Sequence, residues 1–220
     1  MKHTLRFSSV LILFMSLQLQ AAPLQVRVQA VHDGDTFTAV GVTDGIRYKV
    51  RLLGVDTPEV DLNGKSQGEP AIRARDFLKE LMPANTVATI SEDSEKDKHG
   101  RILGLILADG LDVNKEMLRQ GWGYLYFISP FDKGLVSQYI EAAKEAFDLQ
   151  RGVYSPEFAG LEEPYQFRMT SQFLKGRNPV GDFETKKLYK AEDVQQVPVW
   201  RRVFFPNTEF AKANGYTDAG

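Results

Sequence analysis

The sequence predicts a mainly β domain with helices added, a small five-stranded Greek-key barrel with about three α-helices. Three observations lead there. Apolar and polar residues alternate in five short runs, a Thr-Asp-Gly joins the second run to the third, and helical spacing begins only after the third. Strands and helices do not alternate one for one, which argues against a doubly wound parallel sheet.

The first three runs are LQVRVQAV (24–31), DTFTAVGV (35–42) and IRYKVRLLGV (46–55), with TDG (43–45) between the last two. Asp-Gly between such runs is a strong hairpin signal, because both residues tolerate positive φ. GEPAIRARDFLKELM (68–82) carries Ala71, Ala74, Leu78 and Phe77, Leu81 at helical spacing, with Pro83 behind it. The remaining strands are NTVATIS (85–91) and ILGLILA (102–108), separated by the charged turn EDSEKDKHGR (92–101). A second helix, DVNKEMLRQG (112–121), is stopped by Gly121. After the aromatic run WGYLYF (122–127), a third helix covers LVSQYIEAAKEAFDLQRG (135–152), with Gly152 just past its last turn.

Composition sets the outer limits. The chain has 220 residues, 43% of them hydrophobic, which suits one domain plus extra chain. Residues 1–21 read as a secretory signal peptide: Lys2 and Arg6 precede an apolar run from Phe7 to Leu17, and small residues follow near Ala21 and Ala22. An uncleaved anchor is disfavoured because that run is well short of the roughly 20 apolar residues a span requires. The expected address is secreted or periplasmic, with no stable membrane insertion after cleavage. The absence of cysteine excludes disulfides and thiolate zinc sites. Removing Lys2 and Arg6 from the 27 basic residues leaves 25 against 29 acidic ones, a net charge of -4. A nucleic acid would therefore have to be met by a local basic patch.

Elimination narrows the chemistry. Past the signal only His32 and His99 remain as histidines, so a metal would be held by oxygen, which selects hard cations such as Ca2+ or Mg2+. Oxygen donors gather in two turns. HDGDT (32–36) brings Asp33 and Asp35 around Gly34, and VDTPE (55–59) brings Asp56 and Glu59 around Thr57-Pro58. Proline biases the residue before it to extended geometry, so the Thr57 carbonyl can point with the Asp56 carboxylate. If the turns meet, Asp35, Asp56 and the Thr57 carbonyl form a partial cage for one ion; taken singly, each turn is ordinary turn chemistry. Arg51 and Arg101 supply planar guanidinium forks that fit phosphate oxygens, although each alone also suits a structural salt bridge.

In that order and at similar gaps, DGDT, RLLGVDTPE, KHGR followed by a strand and ADG, and VNKEMLRQG resemble the staphylococcal nuclease (thermonuclease) family over roughly residues 26–155. The resemblance implies an OB-fold barrel and a Ca2+-dependent hydrolase of DNA and RNA that leaves 3′-phosphate ends. It implies Asp35, Asp56 and Thr57 as ligands of one Ca2+, and Arg51, Glu59 and Arg101 as the catalytic residues. Asp33 is expected behind Asp35, supporting it. His99 stands where the family commonly has a tyrosine, and YLYFISPF (124–131) departs from the family's aromatic stretch. His99, Tyr124, Tyr126 and Phe127 are expected on the substrate side, with core packing left open for at least two of the three aromatics.

The domain organisation expected is a signal at 1–21, a nuclease-like domain at 22–155 and a C-terminal extension at 156–220. That extension carries eleven of the chain's 24 aromatics, too many for a disordered tail, and is expected to pack on the barrel, on a partner or on a second copy. The rival reading is a non-catalytic OB module that binds nucleic acid or oligosaccharide in the cell envelope; Glu59 with both arginines is what distinguishes them.

Overall fold

The protein is described by a computed structural model, which covers residues 23–91, 96–97, 99–173 and 178–220. The expected signal peptide and residues 92–95 and 98 of the charged turn at 92–101 lie outside the described residues.

β1 (Leu24–Asp33), β2 (Thr36–Gly41) and β3 (Arg47–Leu52) form an antiparallel meander. Their period-2 pattern is realised directly: Val26 and Val28 are buried while Gln25 and Arg27 point outward. The Thr-Asp-Gly turn forms as expected, with Gly45 at φ 68° and Asp44 Oδ1 accepting from the Ile46 N–H.

Two expected strands are each broken in the middle. The run 46–55 divides into β3 and β4 (Gly54–Asp56), because Gly54 takes φ 76° and turns the chain into a second sheet. The run 102–108 divides at Leu105 into β6 (Ile102–Gly104) and β7 (Ile106–Ala108). One buried side chain satisfies both breaks: Asn114 Nδ2 donates to Leu53 O and Gly104 O, both at 2.9 Å, and its Oδ1 accepts from Ile106 N–H at 3.0 Å. Backbone groups freed by a break in a buried strand need such a partner.

The helices are α1 (Glu69–Leu81), α2 (Val113–Arg119) and α3 (Lys133–Asp148) in the first part of the chain. α2 and α3 start at aspartate caps, where Asp112 accepts from Lys115 N–H and Asp132 from Leu135 N–H. α3 starts two residues before the expected start and ends earlier than expected, with Gln150 at φ 51°. Gly152 serves another purpose: it lies against Gly121, whose backbone a Cβ on Gly152 would meet at 2.2 Å. The aromatic run becomes a strand, β9 (Tyr124–Ile128).

With β5 (Val87–Ile90) and β8 (Leu111–Asp112), the first sheet runs β6-β3-β2-β1-β5-β7-β8. The architecture is α+β with mixed sheets; β6 and β7 are the two halves of the run 102–108, the first paired with β3 and the second with β5.

The C-terminal segment contributes α4 (Pro164–Ser171), β10 (Val180–Asp182), β11 (Lys187–Tyr189), β12 (Arg202–Phe204), α5 (Thr208–Ala213) and β13 (Thr217–Asp218). It packs on the rest of the chain. β12 pairs in parallel with β9, and β9 pairs on its other edge with β4, giving the order β13-β11-β10-β12-β9-β4. Val203, Phe205 and Tyr216 join the same core as Val26 and Phe37. The acidic turn after β4 and the C-terminal segment are thus wired into one sheet.

Candidate active site

Asp33, Gly34 and Asp35 turn the chain between β1 and β2, and this turn has no room for a side chain at its centre. A Cβ on Gly34 would lie 2.8 Å from Ala74 Cβ and 2.9 Å from Thr57 Cβ. Glycine there lets α1 and the second acidic turn close on the first. Asp35 and Asp56 are in consequence 2% and 1% exposed.

One guanidinium joins the two acids. Arg51, opposite Thr36 in the β2–β3 ladder, donates from Nη1 to Asp35 Oδ1 and from Nη2 to Asp56 Oδ1, each at 2.7 Å. Asp35 also accepts from the Thr36 hydroxyl at 2.8 Å and from Thr57 N–H at 3.1 Å. Arg51, expected at a phosphate, here fastens the two carboxylates together. Such pairs hold their charges in a buried setting only because each acid also finds further donors.

A second guanidinium comes from α4. Arg168 Nη1 donates to Asp56 Oδ1 at 2.8 Å and to Glu59 Oε1 at 2.7 Å, and its Nη2 donates to Asp56 Oδ2 at 2.9 Å. Gln67 Oε1 accepts from the Glu59 N–H at 3.0 Å and anchors that backbone.

The electrostatics follow from burial and partners. Burial pushes Asp35 up, but the Arg51 guanidinium and the hydrogen bonds from its neighbours outweigh it and hold the carboxyl below its ordinary range. Asp33 is pushed up to about 8, first by burial and then by the Asp35 carboxylate beside it. Glu59 is raised by burial, against the opposing pull of Arg168. Both arginines resist desolvation because acidic partners keep them charged.

The other expected residues are placed differently. Arg101 is held in its own turn, donating from Nε and Nη2 to Asp97 Oδ2 at 2.8 and 2.7 Å. The β3–β6 register sets Leu103 opposite Arg51, so Arg101, two residues earlier, falls on the same face of the sheet as Arg51. His99 is exposed in that turn, its N–H on Asp97. Tyr124 is buried edge-on to Tyr154 and lines a cleft of about 330 Å3 with Trp200 and Arg202. Tyr126 is stacked on Tyr165 at 6.1 Å and tilted against Phe204 at 4.9 Å, so the C-terminal segment already covers it. Phe127 corrects the expectation of base stacking: it is 1% exposed and packs on Phe131 and Tyr139, because it faces the core side of β9.

The donor set suits a hard cation. Asp35, Asp56 and Glu59 outnumber Arg51 and Arg168, and every donor is oxygen. Thr57 Oγ1, beside Asp56 in the chain, is buried with no hydrogen-bond partner among the described residues. Among those residues no three acidic or histidine side chains make a ready cage. Ligands beyond the two aspartates would come from backbone, water or substrate.

Two buried aspartates bridged by an arginine, with a glutamate one turn away on a mixed-sheet α+β scaffold, define a class of acid–guanidinium centre. The comparisons give it a family. A sequence profile described as Staphylococcal nuclease homologue matches residues 49–156. The chain is 30% identical over 197 residues to Endonuclease YhcR of Bacillus subtilis (strain 168), covering 86% of this chain and 16% of that protein. It is 32% identical over 130 residues to an uncharacterized protein of Bacillus anthracis, covering 59% of this chain and 60% of that one. To the Thermonuclease of Staphylococcus intermedius it is 31% identical over 129 residues, covering 58% of this chain and 74% of that protein. The chain belongs to the staphylococcal nuclease family. It spans about one-sixth of the B. subtilis protein's length, yet 86% of 220 is about 189 residues, so that match runs beyond residue 155 into the C-terminal segment.

Arg168 and Asn114 are the residues that sequence reasoning missed. Asn114 stands inside VNKEMLRQG without any sign of its role. Arg168 sits on an eight-residue helix with no motif around it.

Proposed function

We propose that this protein is a secreted, Ca2+-dependent phosphodiesterase that hydrolyses DNA, RNA or both and leaves 3′-phosphate ends. The observation that carries the reading is the convergence of Asp35 and Asp56 on Arg51, with Glu59 joined to Asp56 through Arg168, in a chain whose relatives are named endonuclease and thermonuclease. Residues 1–21 are read as the signal, 22–155 as the nuclease domain and 156–220 as an extension packed on it. The first sheet is read as the family's OB-type barrel, because the run 102–108 pairs with β3 through its first half and with β5 through its second.

Asp35, Asp56 and the Thr57 carbonyl would hold the ion. When bound, Ca2+ supplies Lewis-acid charge to a phosphate oxygen and a template for the attacking water. Glu59, raised by burial, accepts or orients the water's proton, a role suited to a carboxylate moved toward neutral pH. Arg51 and Arg101, on one face of the sheet, bind phosphate oxygens as negative charge grows on them. Asp33 keeps Asp35 oriented through the turn, accepting its N–H at 3.1 Å. Tyr124 lies at the substrate side.

A non-catalytic binding module is the second reading. One observation favours it: Asp56 and Glu59 are both held by Arg168, as in a structural ion-pair network. Digestion of plasmid DNA and of RNA by the purified protein separates the two. Nuclease action predicts cleavage with Ca2+, none with chelator, and 3′-phosphate ends. Cleavage indifferent to chelator, or 5′-phosphate ends, contradicts the mechanism, and retention of nucleic acid without cleavage supports the module.

A further inference from the structure

Arg168 reaches the acidic centre from outside the residues 49–156 that match the family profile. It is delivered by a helix fixed along its length. At the start of α4, Gln67 Nε2 donates to Glu162 O at 2.7 Å, and Glu163 is paired with Arg202, itself 4% exposed. Within α4, Tyr165 packs on Tyr126 and Phe204. At its end, Lys65 Nζ donates to Ser171 O at 3.2 Å. Gln67 also holds the Glu59 N–H, so one side chain ties the acidic turn to the helix. This is a docked arm with a defined register.

Its guanidinium occupies both oxygens of Asp56 and one of Glu59. Arg51 and Thr36 share Asp35 Oδ1, and Thr57 N–H takes Oδ2. Every carboxylate oxygen of the two aspartates therefore already has a donor, and on Asp56 Oδ2 that donor is Arg168. A divalent cation and a guanidinium cannot share that edge without like charges in contact.

We propose that Arg168 is a built-in counter-cation, a positioning residue that holds Asp56 and Glu59 until a divalent cation displaces it from Asp56. The C-terminal segment thereby sets the cation concentration at which the centre loads. This rests on reading Asp35 and Asp56 as the cation site.

The test is Ca2+ titration by calorimetry, without nucleic acid, on the wild-type protein, Arg168→Gln and Arg168→Lys, with thermal melts to verify folding. Arg168→Gln is expected to bind Ca2+ roughly tenfold or more tightly than wild type, within the usual range for coupled ligands. Arg168→Lys, which keeps the charge, is expected to stay near wild type. Equal or weaker binding by Arg168→Gln, with wild type binding normally, overturns the inference and leaves the cation site standing. Absence of Ca2+ binding in all three overturns the cation-site reading and this inference with it. Hydrogen exchange on the unaltered protein gives a check that no variant's folding can disturb. Ca2+ is expected to speed exchange at amides 165–171 while slowing it at Asp56, Thr57 and Glu59, and unchanged exchange in α4 on saturation contradicts displacement.

Discussion

Gly54 lies beneath the ring of Phe127, so close that a Cβ on Gly54 would stand 2.3 Å from Phe127 Cζ. The glycine also has φ 76°, a conformation that side chains disfavour. This contact lets the chain leave β3, turn, and carry Asp56 to the centre along β4. Gly54→Ala combines left-handed strain with overpacking and is expected to cost about 2–4 kcal/mol. Thermal unfolding followed by circular dichroism should show a clear fall in melting temperature. A midpoint within a degree or two of wild type would mean that the ring moves freely aside.

Arg51 and Arg101 separate stability from activity. Arg51 is a largely buried bridge between two acids, whereas Arg101 pairs with Asp97 in a partly exposed turn. Arg51→Lys is expected to lose about 3 kcal/mol of stability, because the single ammonium keeps the charge but not the fork that reaches both buried acids, and one acid loses its partner. Arg101→Lys is expected to change stability by less than about 1 kcal/mol. Each should lower the rate of phosphodiester cleavage on the order of 10²-fold, as for loss of one donor to developing charge. Denaturant unfolding and single-turnover cleavage measure the two effects independently.

What was legible in the sequence, and what was not, follows from distance along the chain. Asp35, Arg51, Asp56 and Glu59 lie within two nearby stretches whose turn chemistry is local, and the structure brings Asp35 and Asp56 onto one arginine. Arg168 meets Glu59 from 109 residues away, and only tertiary packing sets that contact. The break at Gly54 was hidden because IRYKVRLLGV reads as one continuous strand-like run; the ring that the glycine admits lies on another strand. Phe127 was decidable in principle. In β9, Leu125 and Phe127 share one face and Tyr124 and Tyr126 the other, but the stretch reads first as an aromatic cluster and only second as an alternating strand.

Tyr139 gives the fold an alkaline limit. Its hydroxyl donates to Asp112 at 3.0 Å, and burial, then the charge of Asp112, raise it far above the ordinary tyrosine value. In the unfolded chain tyrosine ionises near pH 10, as roughly expected of an exposed phenol. The folded protein keeps the proton where the unfolded chain loses it, so stability falls as pH climbs above about 10. Tyr139→Phe is expected to lose about 1–2 kcal/mol at neutral pH and to show a shallower alkaline decline. Tyr216, raised to about 12 by burial, preserves part of the slope. Urea unfolding at pH 7 and across pH 9–11 reads both effects.

Arg202 and Glu163 hold α4 to the sheet as a buried ion pair, reinforced by Arg202 Nε donating to Val197 O at 2.7 Å. Arg202→Ala leaves Glu163 without its partner and is expected to cost about 3–5 kcal/mol. Replacing both together, as Arg202→Met with Glu163→Leu, should recover part of that loss, because two apolar groups leave no stranded charge. Equilibrium unfolding of the single and double variants decides this. A double variant no more stable than Arg202→Ala would show that the backbone bond to Val197, not the ion pair, carries the docking.

In the proposed reaction the acidic centre cleaves phosphodiesters and Glu59 handles the water. Plasmid digestion by wild type and Glu59→Ala, side by side in Ca2+, tests it most directly. Wild type is expected to cleave rapidly and in a chelator-sensitive manner, and the variant at a rate lower by about 10²-fold or more. Equal digestion by both proteins would contradict it.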